Sequence, residues 1–335
     1  MEIRRVQMTG GSSYIITLPK EWIKKSKIQK NDQIGLITQS DGTLLITPKI
    51  DREQTQKIKE FDTSNITNQN FLLRRLIGAY IAGYNQIIIK SKTRMSPQVK
   101  MIVRKFTQNT IGQEIVEETE SQIIIKDILN PAEMPFDRTI KRMHIIVKGM
   151  HEDIMTAIQR NDKKLAEEII QRDNEIDRLH WLIARQHNII LQNVNFAEKM
   201  GITIELATTS FLISRIIERI GDHVIRIAQN SINITEEKID DTLLEKLQNA
   251  SQISLEIFTR SITSFLRRDV KAANENIESV LKLENKLKEI NKQTLKQKGE
   301  HVISLGYIVE SIRRIGDYSS DISEHIINHI VGEEK

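Results

Sequence analysis

One six-residue stretch is written twice in this chain, and that repetition limits what the chain can fold into. Glu218-Arg219-Ile220-Gly221-Asp222-His223 returns 95 residues later as Arg313-Arg314-Ile315-Gly316-Asp317-Tyr318, so half of a fold is expected to be duplicated. Around the first copy Leu206, Ile213, Ile216, Ile220, Val224 and Ile227 recur at helical spacing, and around the second so do Ile308, Ile312, Ile315, Ile322 and Ile326. Each copy is therefore expected on an amphipathic helix. Counting about 100° per residue from Ile220 places Glu218 and Asp222 about 160° to either side, on the polar face opposite the apolar stripe. Carboxylates at i and i+4 repel by roughly 0.2–0.5 kcal/mol unless a cation lies between them. A duplicated acidic face is thus either a solvated surface or a cation site.

The helix upstream offers a matching pair. Leu165, Ile169, Ile176 and Ile183 form its apolar stripe, with Asp173 and Asp177 on the flank, again four apart. Hard cations such as iron(III), manganese or magnesium take oxygen ligands from several carboxylates, which two such helices can present together. Acidic pairs are common on surfaces, and spacing alone leaves both readings open.

At 335 residues the chain has room for two or three domains, and 39% hydrophobic with 28% charged residues describes an ordinary soluble protein. No run is apolar enough to cross a membrane or to serve as a secretion signal, and there is no cysteine, so a cytoplasmic location is expected and thiolate chemistry is excluded. The net charge is only +4 but uneven: residues 1–30 hold seven Lys or Arg against two acids. A basic N-terminal module calls for a polyanionic partner.

Residues 1–50 read as β-rich. Short strands are expected from Ile3 to Met8 and from Tyr14 to Leu18 around the turn Thr9-Gly10-Gly11-Ser12-Ser13, and Pro19 then opens a short helix. Gln33 to Thr38 and Thr43 to Thr47 flank Asp41-Gly42, a hairpin signal. So short a segment buries too little surface to stand alone, and dimerisation is expected. The order of elements, with Thr-Gly-Gly-Ser before the second strand and Leu-Pro-Lys-Glu-Trp at the helix start, resembles the AbrB/SpoVT family of swapped-hairpin DNA-binding domains. The resemblance implies a barrel interleaved from two chains, hence a homodimer. It also implies DNA contact through Arg4, Arg5, Thr9, Ser12 and Ser13, with Lys20 and Lys24 near the phosphates. Arginine and lysine neutralise phosphates, and hydroxyls donate to them.

Residues 55–130 read as a small α/β subdomain. Phe71, Leu72, Leu76, Ile77, Tyr80 and Ile81 predict a helix ending near Gly83, and Val99, Ile102, Val103 and Phe106 predict a second ending at Gly112. Ile87–Ile89, Ile115-Val116 and Ile123–Ile125 predict strands. The Asn130-Pro131 and Met134-Pro135 steps mark a linker.

Beyond it, six helices are expected at about 138–160, 162–193, 201–232, 237–268, 270–297 and 300–331, with Thr235 as an N-cap of the fourth. They form two sets, 138–232 and 236–331. This half resembles the PhoU family of phosphate-signalling proteins, which the Arg-Ile-Gly-Asp-His stretch carries most specifically. The resemblance implies a pair of three-helix bundles whose acidic surface motifs hold metal clusters. Carried over by position, the ligands in repeat one are Asp173, Asp177, Glu218 and Asp222. Repeat two is degenerate: Val280 stands for Asp173, Arg313 for Glu218, and only Glu284, Asp317 and a new acid, Asp321, remain.

Histidines recur seven apart as His144/His151 and His180/His187, and His325 and His329 are four apart. With no third ligand in view, these read as buried or interfacial neutral imidazoles rather than a zinc site. Together the residues and the resemblances imply a phosphate-responsive, DNA-binding transcriptional regulator with a metal-binding helical sensor domain. The competing reading is an adaptor docking on a phosphate transporter ATPase or sensor kinase, with the barrel only dimerising. A carboxylate-bridged metalloenzyme fares worst, because the Glu-x-x-His ligands of buried di-iron bundles are missing, and no enzyme activity or membrane insertion is expected.

Overall fold

The computed structural model describes residues 2–38, 42–48, 57–64, 66, 68–234, 239–297, 299 and 301–334. The chain divides into two compact units, Met1–Gln56 and Lys57–Lys335. Among the described residues no helix is long and apolar enough to cross a membrane.

In the first unit β1 (Gln7–Thr9) pairs antiparallel with β2 (Ser13–Ile15), and β3 (Gly35–Thr38) with β4 (Leu44–Thr47). The first turn is made by Gly10 and Gly11, both at positive φ where a Cβ would be strained. Between the hairpins lies α1 (Lys20–Lys25). The first two strands are shorter than alternation predicts, and among the described residues neither hairpin pairs with a further strand. The turn of the second hairpin falls partly on residue 41, outside the described residues. No closed barrel forms among the described residues, and none of them in this unit is buried.

The second unit begins with a four-stranded sheet of order β5-β6-β8-β7, made of β5 (Ile58–Asp62), β6 (Gln86–Lys90), β7 (Gln113–Glu118) and β8 (Gln122–Asp127). β5 and β6 are parallel, the other pairs antiparallel. Two helices, α2 (Gln69–Ile81) and α3 (Pro97–Gln108), cover one face through Leu72, Leu76, Tyr80, Val103 and Phe106, which meet Ile87, Ile89, Ile123 and Ile125. Asn68 and Ser96 cap these helices by accepting from the amides of Phe71 and Val99. The sequence reading did not anticipate β5. Phe71, expected on the covered face, is 53% exposed.

The prolines after β8 make only a single 3-10 turn (Pro131–Glu133), and the helices follow within the same unit. These are α4 (Phe136–Arg160), α5 (Lys163–Gln171), α6 (Asp173–Gln192), α7 (Val194–Met200) and α8 (Ile204–Ile234), then α9 (Asp241–Arg267), α10 (Val270–Thr294) and α11 (His301–Glu333). The expected second helix is thus broken at Arg172, and an extra short helix precedes α8. The fourth helix starts at Asp241 with Asp240 as its cap; Thr235 lies outside the described residues. The duplication is visible in detail. α4 and α9 both end on a left-handed residue, Asn161 and Arg268, and the next residue, Asp162 or Asp269, caps the following helix through the amide of Leu165 or Ala272. One hydrophobic core runs through both repeats, with α8 against α11 as the seam between them.

Candidate cation site and nucleic-acid face

The seven residues expected to meet DNA are all exposed. Thr9 and Ser13 face each other as a register pair at the tip of the first hairpin, with Ser12 in the turn between them. Arg4 and Arg5 precede β1, where Arg4 is paired with Glu2 at 2.5 Å. Lys20 begins α1 and Lys24 lies in its last turn. The hairpin tip holds the hydroxyls and the glycine turn, while the cations lie before β1 and on α1, and both kinds of donor suit phosphate oxygens.

In repeat one the duplicated glycine explains how two acidic pairs come together. A Cβ on Gly221 would lie 2.6 Å from Ile176 Cδ1, closer than atoms approach, so α8 and α6 cross there with no side chain between them. Ile176 sits between Asp173 and Asp177, and Gly221 between Glu218 and Asp222, so the close approach brings all four carboxylates to one crossing. Their titration reports the proximity. Burial raises the Asp177 pKa, and the charges of Asp173, Glu218 and Asp222 push it further, to about 7. Asp173 is raised by burial; Glu218 and Asp222 are raised by burial first and then by their acidic neighbours. Asp173 and Asp177 are half-buried on the flank of their helix, and Asp222 is exposed as the helical count implied, but Glu218 is half-buried beside the crossing rather than opposite the core. Among the described residues none of the four accepts a hydrogen bond or joins an ion pair, although Arg215 and Arg219 hold Glu218 down and Arg226 and Arg219 do the same for Asp222.

Repeat two is built on the same crossing with different charges. A Cβ on Gly316 would lie 2.4 Å from Leu283 Cδ2, so α10 and α11 approach as α6 and α8 do. Arg313, in the place of Glu218, donates to Asp317 Oδ2 at 2.6 Å and to both oxygens of Glu310 at 2.8 and 2.6 Å, and Arg314 adds a bond to Glu310 at 2.9 Å. The Arg313 pKa is raised first by its bond to Glu310 and that of Asp317 first by burial, with the charge of Glu284 adding to both. Asp321 has no hydrogen bond to Arg313 but is raised by burial first and, among other charges, by that of Asp317, and it lines with Arg215 and Arg219 a groove of about 390 Å³ between α8 and α11.

The PhoU domain family is matched over residues 140–231 and 247–326, the two helical repeats. The chain belongs to the PhoU family. Similar to it are the phosphate-specific transport system accessory protein PhoU homologues of Thermotoga maritima, 23% identical over 56% of this chain and 82% of that one, and of Clostridium acetobutylicum, 24% identical over 58% and 90%. The crystal structures of PhoU from Pseudomonas aeruginosa and from Streptococcus pneumoniae share the fold, with TM-scores of 0.53 and 0.51 at 18% and 17% identity, over 59% of this chain and 96% and 94% of theirs. Residues 7–54 match a second family, the antidote-toxin recognition domain MazE of bacterial antitoxins.

In this PhoU body the repeat-one donors are oxygen-only, mutually repelling and short of counter-charge, which fits a hard cation in kind. As the side chains stand, no three His, Asp or Glu among the described residues close on one point. The repeat-two residues do not fit, because a guanidinium is already among them. Sequence reasoning missed two contributors. Glu310 was signalled only by lying three residues before Arg313, and the glycines by being the one small residue kept mid-helix in both copies, where glycine costs about 1 kcal/mol. The paired histidines are interfacial, as their spacing implied. His144 and His151 of α4 meet Thr259 and Ser251 of α9 at 3.3 and 2.5 Å, and His180 and His187 of α6 meet Ser214 and Thr208 of α8 at 3.0 and 3.2 Å.

Proposed function

We propose that this chain is a phosphate-transport regulator acting by binding rather than catalysis: a PhoU body whose repeat-one carboxylates hold iron, manganese or magnesium, joined to an N-terminal dimer that contacts DNA. The observation that carries it is the N-terminal unit itself. Its exposed Ile3, Val6, Met8, Tyr14, Ile16 and Leu36, in a unit where no described residue is buried, support a swapped, two-chain barrel, and its exposed hydroxyls, glycine turn and basic residues suit phosphates. The relatives' names supply the phosphate-transport context for the helical body.

Full-length protein titrated with a random-sequence duplex at two salt concentrations tests the reading. Binding should weaken as salt rises, and Arg4→Ala with Arg5→Ala should reduce the log–log salt slope by about 2 if each arginine neutralises one phosphate. Unchanged affinity in the double variant would overturn DNA contact by this face. The remaining reading would then be an adaptor docked on a phosphate transporter ATPase or sensor kinase, which the accessory-protein names of the relatives favour.

A further inference from the structure

The two repeats share one scaffold and differ in what supplies positive charge. In both, a glycine lets the third helix meet the second at an aliphatic side chain, Gly221 at Ile176 and Gly316 at Leu283. In both, acidic residues flank the crossing. In repeat one no positive group is hydrogen-bonded to them among the described residues. In repeat two Arg313 is bonded to Glu310 through Nε and one Nη, and to Asp317 through the other Nη. A planar guanidinium so held presents its donors to two carboxylates at once, a geometry that a lysine ammonium cannot reproduce.

We propose that Arg313 is a built-in counter-ion that replaces a bound cation in repeat two, so that this chain takes up metal at one repeat only. The inference rests on repeat one being the cation site, but it has a consequence of its own that needs no metal. With Arg313 removed, Glu284, Glu310 and Asp317 are left facing one another.

Full-length protein dialysed against Mn(II) and then freed of excess ion would be analysed for bound manganese, with thermal midpoints recorded in metal-free buffer. Glu284→Gln with Asp317→Asn should leave the manganese content of the chain unchanged, whereas Glu218→Gln with Asp222→Asn should abolish it. Arg313→Glu, made in that second background so that repeat one is silent, should restore manganese binding. In metal-free buffer Arg313→Gln should lower the midpoint and Arg313→Lys should recover only part of the loss. Manganese lost on Glu284→Gln with Asp317→Asn would overturn the proposal, as would an Arg313→Gln midpoint equal to or above that of the unsubstituted protein. A chain that binds no manganese at all would instead overturn the repeat-one reading, and the metal-free midpoints would still decide whether Arg313 is a counter-ion.

Discussion

Asp177 is the residue on which repeat one's electrostatics converge. Its folded pKa of about 7 lies far above the ordinary aspartate value of 3.8, so the protonated form is favoured in the folded state. The stability this contributes is fully present below about pH 4 and is lost as pH rises through about 7. In cation-free protein Asp177→Asn should therefore raise the thermal midpoint by about 1–3 °C at pH 8, the effect of relieving one or two like-charge contacts, and by much less at pH 5. Melts at the two pH values check this, and an equal shift at both would show that Asp177 is not titrating between them. Beside it, Gly221 is required by a close approach rather than by backbone conformation. Gly221→Val would drive methyls into Ile176, which is 1% exposed and has nowhere to move. A loss of about 1–3 kcal/mol is expected for such overpacking, read by urea unfolding. Gly221→Ala should lose less, because alanine recovers about 1 kcal/mol of helix propensity.

At the scale of elements, α6 does two things. Its first turns carry Asp173 and Asp177, and its second half grips the α/β layer. Arg185, 1% exposed, donates to Asp127 Oδ2 at 2.6 Å and to the Tyr80 carbonyl at 2.5 Å, with its guanidinium 5.0 Å from the Tyr80 ring centre. Asn188 donates to the Ile81 carbonyl at 3.0 Å and Gln186 to the Met134 carbonyl at 2.7 Å. Arg185→Met would leave Asp127 buried without its partner and should cost about 3–5 kcal/mol. Arg185→Met with Asp127→Leu should recover much of that in the same unfolding assay, since two apolar groups leave no orphaned charge. None of this anchoring was legible in the sequence, where Arg185 opens the polar run Arg185-Gln186-His187-Asn188 and its partner lies 58 positions away. The long helices were legible, because a 3.6-residue stripe survives in them, whereas the seven-residue α7 was not. The break at Arg172 was not: Leu165, Ile169, Ile176 and Ile183 keep phase across it, and no glycine or proline marks it. β5 escaped because only Phe61 of its five residues is buried, leaving no alternation to read. The acidic pairs were visible by spacing, but that α6 and α8 meet at them depends on a Gly–Ile contact between distant residues.

Across the whole molecule, ionisable groups of opposite behaviour sit in the same helical body. Burial lowers the pKa of His144, His151, His180 and His223 to about 4 and shifts His187 downward too. A base whose folded pKa is depressed contributes stability that is present above its unfolded value, near 6.5, and lost as pH falls toward the folded one. At pH 5 the four strongly shifted histidines are charged when unfolded and mostly neutral when folded, so unfolding takes up between three and four protons from them. Asp177 works the other way, being protonated when folded and releasing about one. Asp173, Glu218 and Asp222 are raised too and release protons with Asp177, so stability should fall toward pH 5 less steeply than the histidines alone would make it. The slope should flatten above pH 7, where the histidines are neutral in both states. All eight histidines lie beyond residue 140 and none in Met1–Gln56, so acid should loosen the helical body while leaving the N-terminal unit without a titrating imidazole of its own. Urea unfolding followed by helical circular dichroism at pH 5, 6, 7 and 8 measures the slope directly. A profile flat from pH 7 to pH 5 would mean that the His151–Ser251 and His180–Ser214 contacts admit water and that these imidazoles titrate near their ordinary value.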